Sequence, residues 1–232
     1  NSKTPISKCE FEQIIVKKLE FFYGEAKKSF SIGPIDFTIK KGEVVFIYGG
    51  NGSGKTTFIY SIIGLFEPTN GAISLNGVLI TSRNLAFYRA SFAVVFSDFY
   101  LFNELLGLDR FDVTKWNYYL KLFEIEDKVK LENNRFSTTN LSMGQRKRLA
   151  LITALLEDKP MLVIDEWAAD QDPYFRKKFY TEIIPLLKQD GITIIAGTHD
   201  DSYYYCADKI YRMDYGKSIL EDIKVHQSHI ID

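Results

Sequence analysis

The stretch "MLVIDEWAADQDP", Met161 to Pro173, runs four apolar residues straight into two adjacent carboxylates, Asp165 and Glu166. Like charges this close raise each other's pKa unless a cation lies nearby or the side chains face different ways, as strand neighbours do. Asp165, at the carboxyl end of a buried strand, is placed to hold a metal ion through water. Glu166, one residue beyond, is then free to orient or deprotonate an attacking water.

A second stretch supplies the cation. "GGNGSGKTT" matches G-x-x-x-x-G-K-[ST] at Gly49, Gly54, Lys55 and Thr56, between the strand-like "EVVFIYGG" and the helical pattern "TTFIYSIIGLF". Glycines admit positive φ, so successive N–H groups can point inward at an anion, and the following helix adds its positive dipole end. Lys55 is expected to reach the β- and γ-phosphates and Thr56 to ligate Mg²⁺, with Gly49, Asn51, Gly52, Ser53, Gly54 and Thr57 completing the nucleotide cradle.

The third stretch is "LSMGQRKRLAL", Leu141 to Leu151. Ser142 suits a helix N-cap, and Gly144 leaves the first-turn amides open, so this helix start is another anion site. The basic run Arg146, Lys147, Arg148 reads as a solvated helix face, one member of which feels a partner's phosphates.

"LSMGQ" resembles the L-S-G-G-Q signature of ATP-binding-cassette (ABC) ATPases, and it stands between the phosphate loop and the acidic pair as it does there. The resemblance covers nearly the whole chain. It implies a P-loop NTPase (RecA-like) α/β core with an antiparallel β subdomain and an inserted helical subdomain, and hydrolysis of ATP with Mg²⁺. It also implies a head-to-tail dimer, in which Ser142, Gly144, Gln145 and Asp172 of one copy meet the ATP held by Lys55 of the other. His199, closing "ITIIAGTH", resembles the switch histidine that assists Glu166, and Tyr23, in "LEFFYGEA", the aromatic that stacks on adenine. Met143 departs from the usual glycine. Ser97, followed by Asp98, stands where the family usually has a glutamine that binds Mg²⁺ and reports to the membrane domain; serine is too short for both tasks, so water or Asp98 takes part.

"DEWAADQDPYFRKKFY" and "THDDSYYYCADKIYRM" resemble one subgroup, the bacterial exporters of cyclic peptides and siderophore precursors whose ATPase is fused behind a membrane domain. The expectation is a domain at the cytoplasmic face of the inner membrane, with a transmembrane partner fused N-terminally and no nucleic-acid ligand. The rival is a soluble ABC ATPase acting on nucleic acid or ribosomes. Against it, 87 positions separate Lys55 from Ser142, too few for the coiled coils of chromosome ATPases.

The elements that must position these residues follow from periodicity. Apolar runs at 44–48, 92–96, 161–165 and 192–199 read as parallel strands covered on both faces. Asn76-Gly77, inside "AISLNGVLI", is a two-residue hairpin turn, which makes the N-terminal part partly antiparallel. The stretch 98–157 has helix-like spacing and reads as an insertion, so the α/β core with its β flank spans about 13–97 and 158–223, and 224–232 is a fraying tail. "FYLFNELLG" (99–107) is either core of the insertion or the surface that receives membrane-domain helices.

Composition bounds the rest. The 232 residues, 46% hydrophobic and 25% charged, suit one domain with a subdomain. A net charge of −1 lacks the basic excess of a nucleic-acid binder. Cys9 and Cys206 lie far apart without CxxC spacing, which argues against a disulfide framework or zinc site, and His226 and His229 are too few for a metal. No run reaches the ~18 apolar residues of a membrane span, and the start carries no signal peptide. The first residue is not Met, so the chain reads as a segment of a longer polypeptide.

Overall fold

The computed structural model describes residues 10–23, 30–105, 107 and 111–223; Cys9, His226, His229 and the 224–232 tail lie outside them. β1 (Gln13–Phe22) buries Ile14 and Val16, then changes phase to bury Leu19, because Lys18, at φ 46°, marks a bulge that inserts one residue. β2 (Ser31–Lys40) pairs antiparallel with it. β3 (Val44–Tyr48) ends at the glycine loop, from which α1 (Lys55–Ile62) leaves. β4 (Asn70–Leu75) and β5 (Val78–Leu79) form the expected hairpin, with Asn76 and Gly77 at φ 50° and 77°. The short α2 (Leu85–Arg89) leads to β6 (Phe92–Val95).

The insertion is less helical than its spacing suggests. α3 (Val113–Leu122) is capped by Asp112, whose carboxylate accepts from the Thr114 amide at 2.8 Å. It stops early, because Glu124 takes a left-handed φ of 55° just beyond it. A small hairpin follows, β7 (Leu131–Glu132) and β8 (Arg135–Phe136), turning on Asn133 and Asn134, both at positive φ. α4 (Met143–Leu156) then runs the length of the signature stretch. "FYLFNELLG" is divided between the two faces: Leu101 and Leu105 enter the core of the insertion, whereas Tyr100 and Phe102 are 74% and 51% exposed.

β9 (Met161–Asp165) is followed by a 3₁₀ turn (Trp167–Asp170), α5 (Pro173–Lys178), a π-helical turn (Phe179–Ile183) and α6 (Ile184–Gln189). β10 (Thr193–Gly197), a 3₁₀ turn (Asp201–Cys206), β11 (Lys209–Asp214) and β12 (Lys217–Glu221) complete the described chain.

Among the described residues the strands make a four-stranded antiparallel sheet, β2-β1-β4-β5, and a six-stranded sheet, β12-β11-β3-β10-β9-β6. In the second, β11, β3, β10, β9 and β6 are parallel, and β12 is antiparallel at the edge. Alternation splits the core into two layers. Val44 and Phe46 of β3 face a cluster with Trp116, Phe123 and Trp167 of the helical side, while Val45 and Ile47 face Phe37 of the antiparallel sheet and Phe58 of α1. β10 lies between β3 and β9, so the glycine loop, His199 and the acidic pair all leave the carboxyl ends of adjacent parallel strands.

Candidate active site

The loop after β3 depends on two glycines whose Cβ positions are already filled by neighbours. Gly49, at φ 154°, would drive a Cβ into the Met213 carbonyl, and Gly54, at φ 103°, would meet Ile32 at 2.7 Å. Lys55 is 5% exposed, and its ammonium donates to the carbonyls of Gly49 (2.9 Å) and Gly50 (3.4 Å). Asn51 and Gly52 form the exposed lip, and the Ser53 hydroxyl is buried with no protein partner among the described residues. Phe30, Glu166 and residues 51–57 line the resulting cleft of about 250 Å³. Tyr23, 41% exposed, leans on Phe21 and Phe66 beside it, with its hydroxyl 3.3 Å from Thr57 Oγ1. Phe30 escaped the sequence reading, although a second aromatic seven residues after Tyr23 was a visible signal.

The adjacent acids do face different ways. Asp165 is 1% exposed; its Oδ2 accepts from the Thr56 hydroxyl at 2.8 Å, and its Oδ1 is buried without a partner among the described residues. Burial pushes its carboxyl above the usual range, the Thr56 bond opposing and the Glu166 charge adding. Gly197 leaves room for this oxygen, since a Cβ there would collide with it. A buried carboxylate with an orphaned oxygen, bonded to a hydroxyl beside a phosphate cradle, fits a hard divalent cation. Glu166 takes a left-handed φ of 50°, its amide donating to Gly197 O at 2.9 Å, and this turns its side chain into the cleft. There Oε1 lies 2.9 Å from His199 Nε2 and 3.6 Å from the Lys55 ammonium. A carboxylate only accepts, so Nε2 carries the shared proton.

The flanks of His199 are fixed from the π-helical turn. Buried Tyr180 donates to Asp200 Oδ2 at 2.8 Å, so the Thr198 hydroxyl must donate in the 2.7 Å contact between it and the phenol. A π-turn is rare, and this one aims Tyr180 at the two residues that bracket His199.

Ser142 caps α4 as expected, accepting from the Gln145 amide at 3.3 Å while the Gln145 side chain accepts from the Ser142 amide at 3.1 Å. Gly144 is needed for close packing: a Cβ would lie 2.7 Å from the Asp170 carbonyl. Among the described residues no hydrogen bond or ion pair joins Ser142, Gly144 or Gln145 to the phosphate loop of the same chain. Asp172 has partners within its own chain: Oδ1 accepts from the Phe175 amide at 2.9 Å, capping α5, and Oδ2 pairs with Arg148 at 3.0 Å. The amide bond, then Arg148, holds its carboxyl below the usual range. Ser97 and Asp98 follow β6 exposed to solvent, and the charges of Asp98 and Asp165 both reach the Tyr60 phenol.

The basic run corrects the expectation of a solvated face. Lys147 and Arg148 are 3% and 9% exposed. Lys147 pairs with Asp170 at 2.7 Å, and Arg148 lies 3.4 Å above the Phe175 ring and donates to Gln171 Oε1 at 2.9 Å. The helix turns this pair onto the segment after β9, whose acids neutralise them.

The profile of the ABC transporter family matches residues 32–169. SyrD, an ATP-binding protein of Pseudomonas syringae pv. syringae, is 45% identical over 223 residues, covering 94% of this chain and 39% of its own length. The energy-coupling factor transporter ATP-binding protein EcfA2 of Clostridium perfringens (strain SM101 / Type A) is 31% identical, covering 90% of this chain and 78% of its own. Among solved structures, cbiO1 of Clostridium perfringens superposes with a TM-score of 0.77 at 26% identity, covering 94% of this chain and 92% of that one. A bacterial Atm1-family exporter reaches 0.81 at 20% identity, over 95% of this chain and 40% of that one, a likeness of fold. The chain belongs to the ABC transporter family, as an ATP-binding and ATP-hydrolysing domain of a transporter.

Proposed function

We propose that two copies of this domain close head to tail over MgATP and that hydrolysis drives export through a transmembrane domain. The observation that carries the reading is that Lys55, Thr56 and Glu166 line one cleft, with Asp165 bonded to Thr56 and His199 to Glu166, while among the described residues the capped start of α4 makes no hydrogen bond or ion pair with it. A triphosphate would take the place of the Gly49 and Gly50 carbonyls as partner of the Lys55 ammonium, with the loop amides on the same oxygens. Thr56 and Asp165 would hold Mg²⁺, which offsets phosphate charge. Glu166 Oε1 faces His199, which leaves Oε2 to take the proton of the attacking water, and His199 orients that carboxylate. Ser142, Gly144 and Gln145, with Asp172 beside them, would meet the partner's γ-phosphate region.

Tyr23 would stack on adenine, with Phe30 opposite. Replacing Tyr23 by Ala removes an aromatic contact of about 0.5–1.5 kcal/mol. The expected result is about 2- to 10-fold weaker ATP binding in a fluorescent-nucleotide titration, with turnover at saturating ATP unchanged; equal affinity would show that the ring is structural.

Export rests on the subgroup resemblance, the 45% identity to SyrD and a groove of about 280 Å³ lined by Phe96, Tyr100, Phe102 and Ala150, apolar enough to seat a helix from a membrane domain. On this reading the domain works at the cytoplasmic face of the bacterial inner membrane, fused behind its transmembrane part, and the cargo is peptide-like or of siderophore type. In the full-length transporter in vesicles, Ser97→Gln is expected to leave ATP hydrolysis near wild type while changing cargo moved per ATP. If both rates stay unaltered, Ser97 does not set coupling.

A further inference from the structure

The mechanism above leaves Lys147 unused, although a lysine is almost never buried without a reason. Its ammonium, in a residue 3% exposed, makes two contacts: it donates to the Glu166 carbonyl at 2.9 Å and pairs with Asp170 Oδ2 at 2.7 Å. The connection also runs the other way, for the Trp167 indole N–H donates to the Lys147 carbonyl at 2.8 Å. Residues 166 and 167 are thus tied to one residue of α4 through a side chain in each direction.

We propose that Lys147 is a positioning residue for Glu166: it clamps the strained turn that aims this carboxylate and makes it move as one piece with the helix that carries Ser142. Glu166 has φ 50° and ψ 33°, a conformation that L-residues hold only when their surroundings impose it. The surroundings here are the Gly197 carbonyl, which accepts from the Glu166 amide, and Lys147, which grips the carbonyl on the other side of the residue. Stability alone does not explain an ammonium at this position, because an apolar side chain of similar length buries as well or better. Lys147 lies five residues beyond Ser142, about 7.5 Å along the helix at 1.5 Å per residue. A shift of the capped end against a partner's phosphates would therefore reach Glu166 through a rigid helix and a charged bond. The inference deepens the reading of Glu166 as the general base and rests on it.

The test compares Lys147→Met, the double variant Lys147→Met/Asp170→Leu and Glu166→Gln in the intact domain, by steady-state ATPase kinetics, nucleotide titration and thermal melting. Lys147→Met is expected to lower kcat by about 10- to 100-fold, the scale of a small misplacement of a catalytic group, with KM and ATP affinity unchanged. The double variant replaces the ion pair by an apolar contact, so it is expected to recover the wild-type Tm while kcat stays low. It also keeps the test decisive if the single variant folds poorly. A kcat near wild type in either Lys147 variant, with Glu166→Gln inactive, overturns the positioning role alone. Normal hydrolysis by Glu166→Gln overturns the general-base reading, and the role of Lys147 with it.

Discussion

Glu166→Gln is expected to hydrolyse ATP about 10²–10⁴-fold more slowly than the wild type while binding it as well. The amide matches the carboxylate in shape and still reaches His199 across the 2.9 Å gap, yet it cannot take a proton from water. It also removes a negative charge 3.6 Å from Lys55, which competes with phosphate for that ammonium. Affinity for ATP should therefore hold or rise as turnover falls. Single-turnover hydrolysis with equilibrium nucleotide binding checks both halves, and rapid hydrolysis by the variant would move the base to another residue.

Trp167→Ala should give the largest loss of stability. The ring is 2% exposed, packs against Phe179 at 4.3 Å between centroids and touches Phe123 and Phe175, and its N–H is bonded to Lys147 O. Truncating a buried Trp costs about 3–5 kcal/mol, which in a domain of this size lowers Tm by roughly 6–20 °C. Trp167→Phe, which keeps most of the packing and loses the N–H donor, should fall between the two. A Tm for Trp167→Ala within about 2 °C of wild type would mean that the indole is not a keystone of the segment after β9.

What was legible in the sequence was local. The glycine loop, the β3 strand before it and α1 after it follow from neighbouring residues whose constraints are steric, and Asn76-Gly77 announced its own turn. Ser142 was readable as a cap for the same reason. Burial decided by distant partners was hidden. Lys147 and Arg148 look like solvated charges until Asp170 and Asp172, more than twenty positions away, fold back against them. The Asn133-Asn134 hairpin hid within helix-like spacing because two-residue strands leave almost no period to read. Tyr180 owes its contact with Thr198 and Asp200 to a π-helical turn, and apolar spacing alone gives no sign of one.

The central claim is that the cleft of one copy is completed by the α4 cap of another, and solution mass tests it most directly. Glu166→Gln examined by sedimentation with saturating MgATP, and again without nucleotide, should sediment as two chains in the first case and one in the second. A variant that binds ATP fully and stays monomeric would contradict the account.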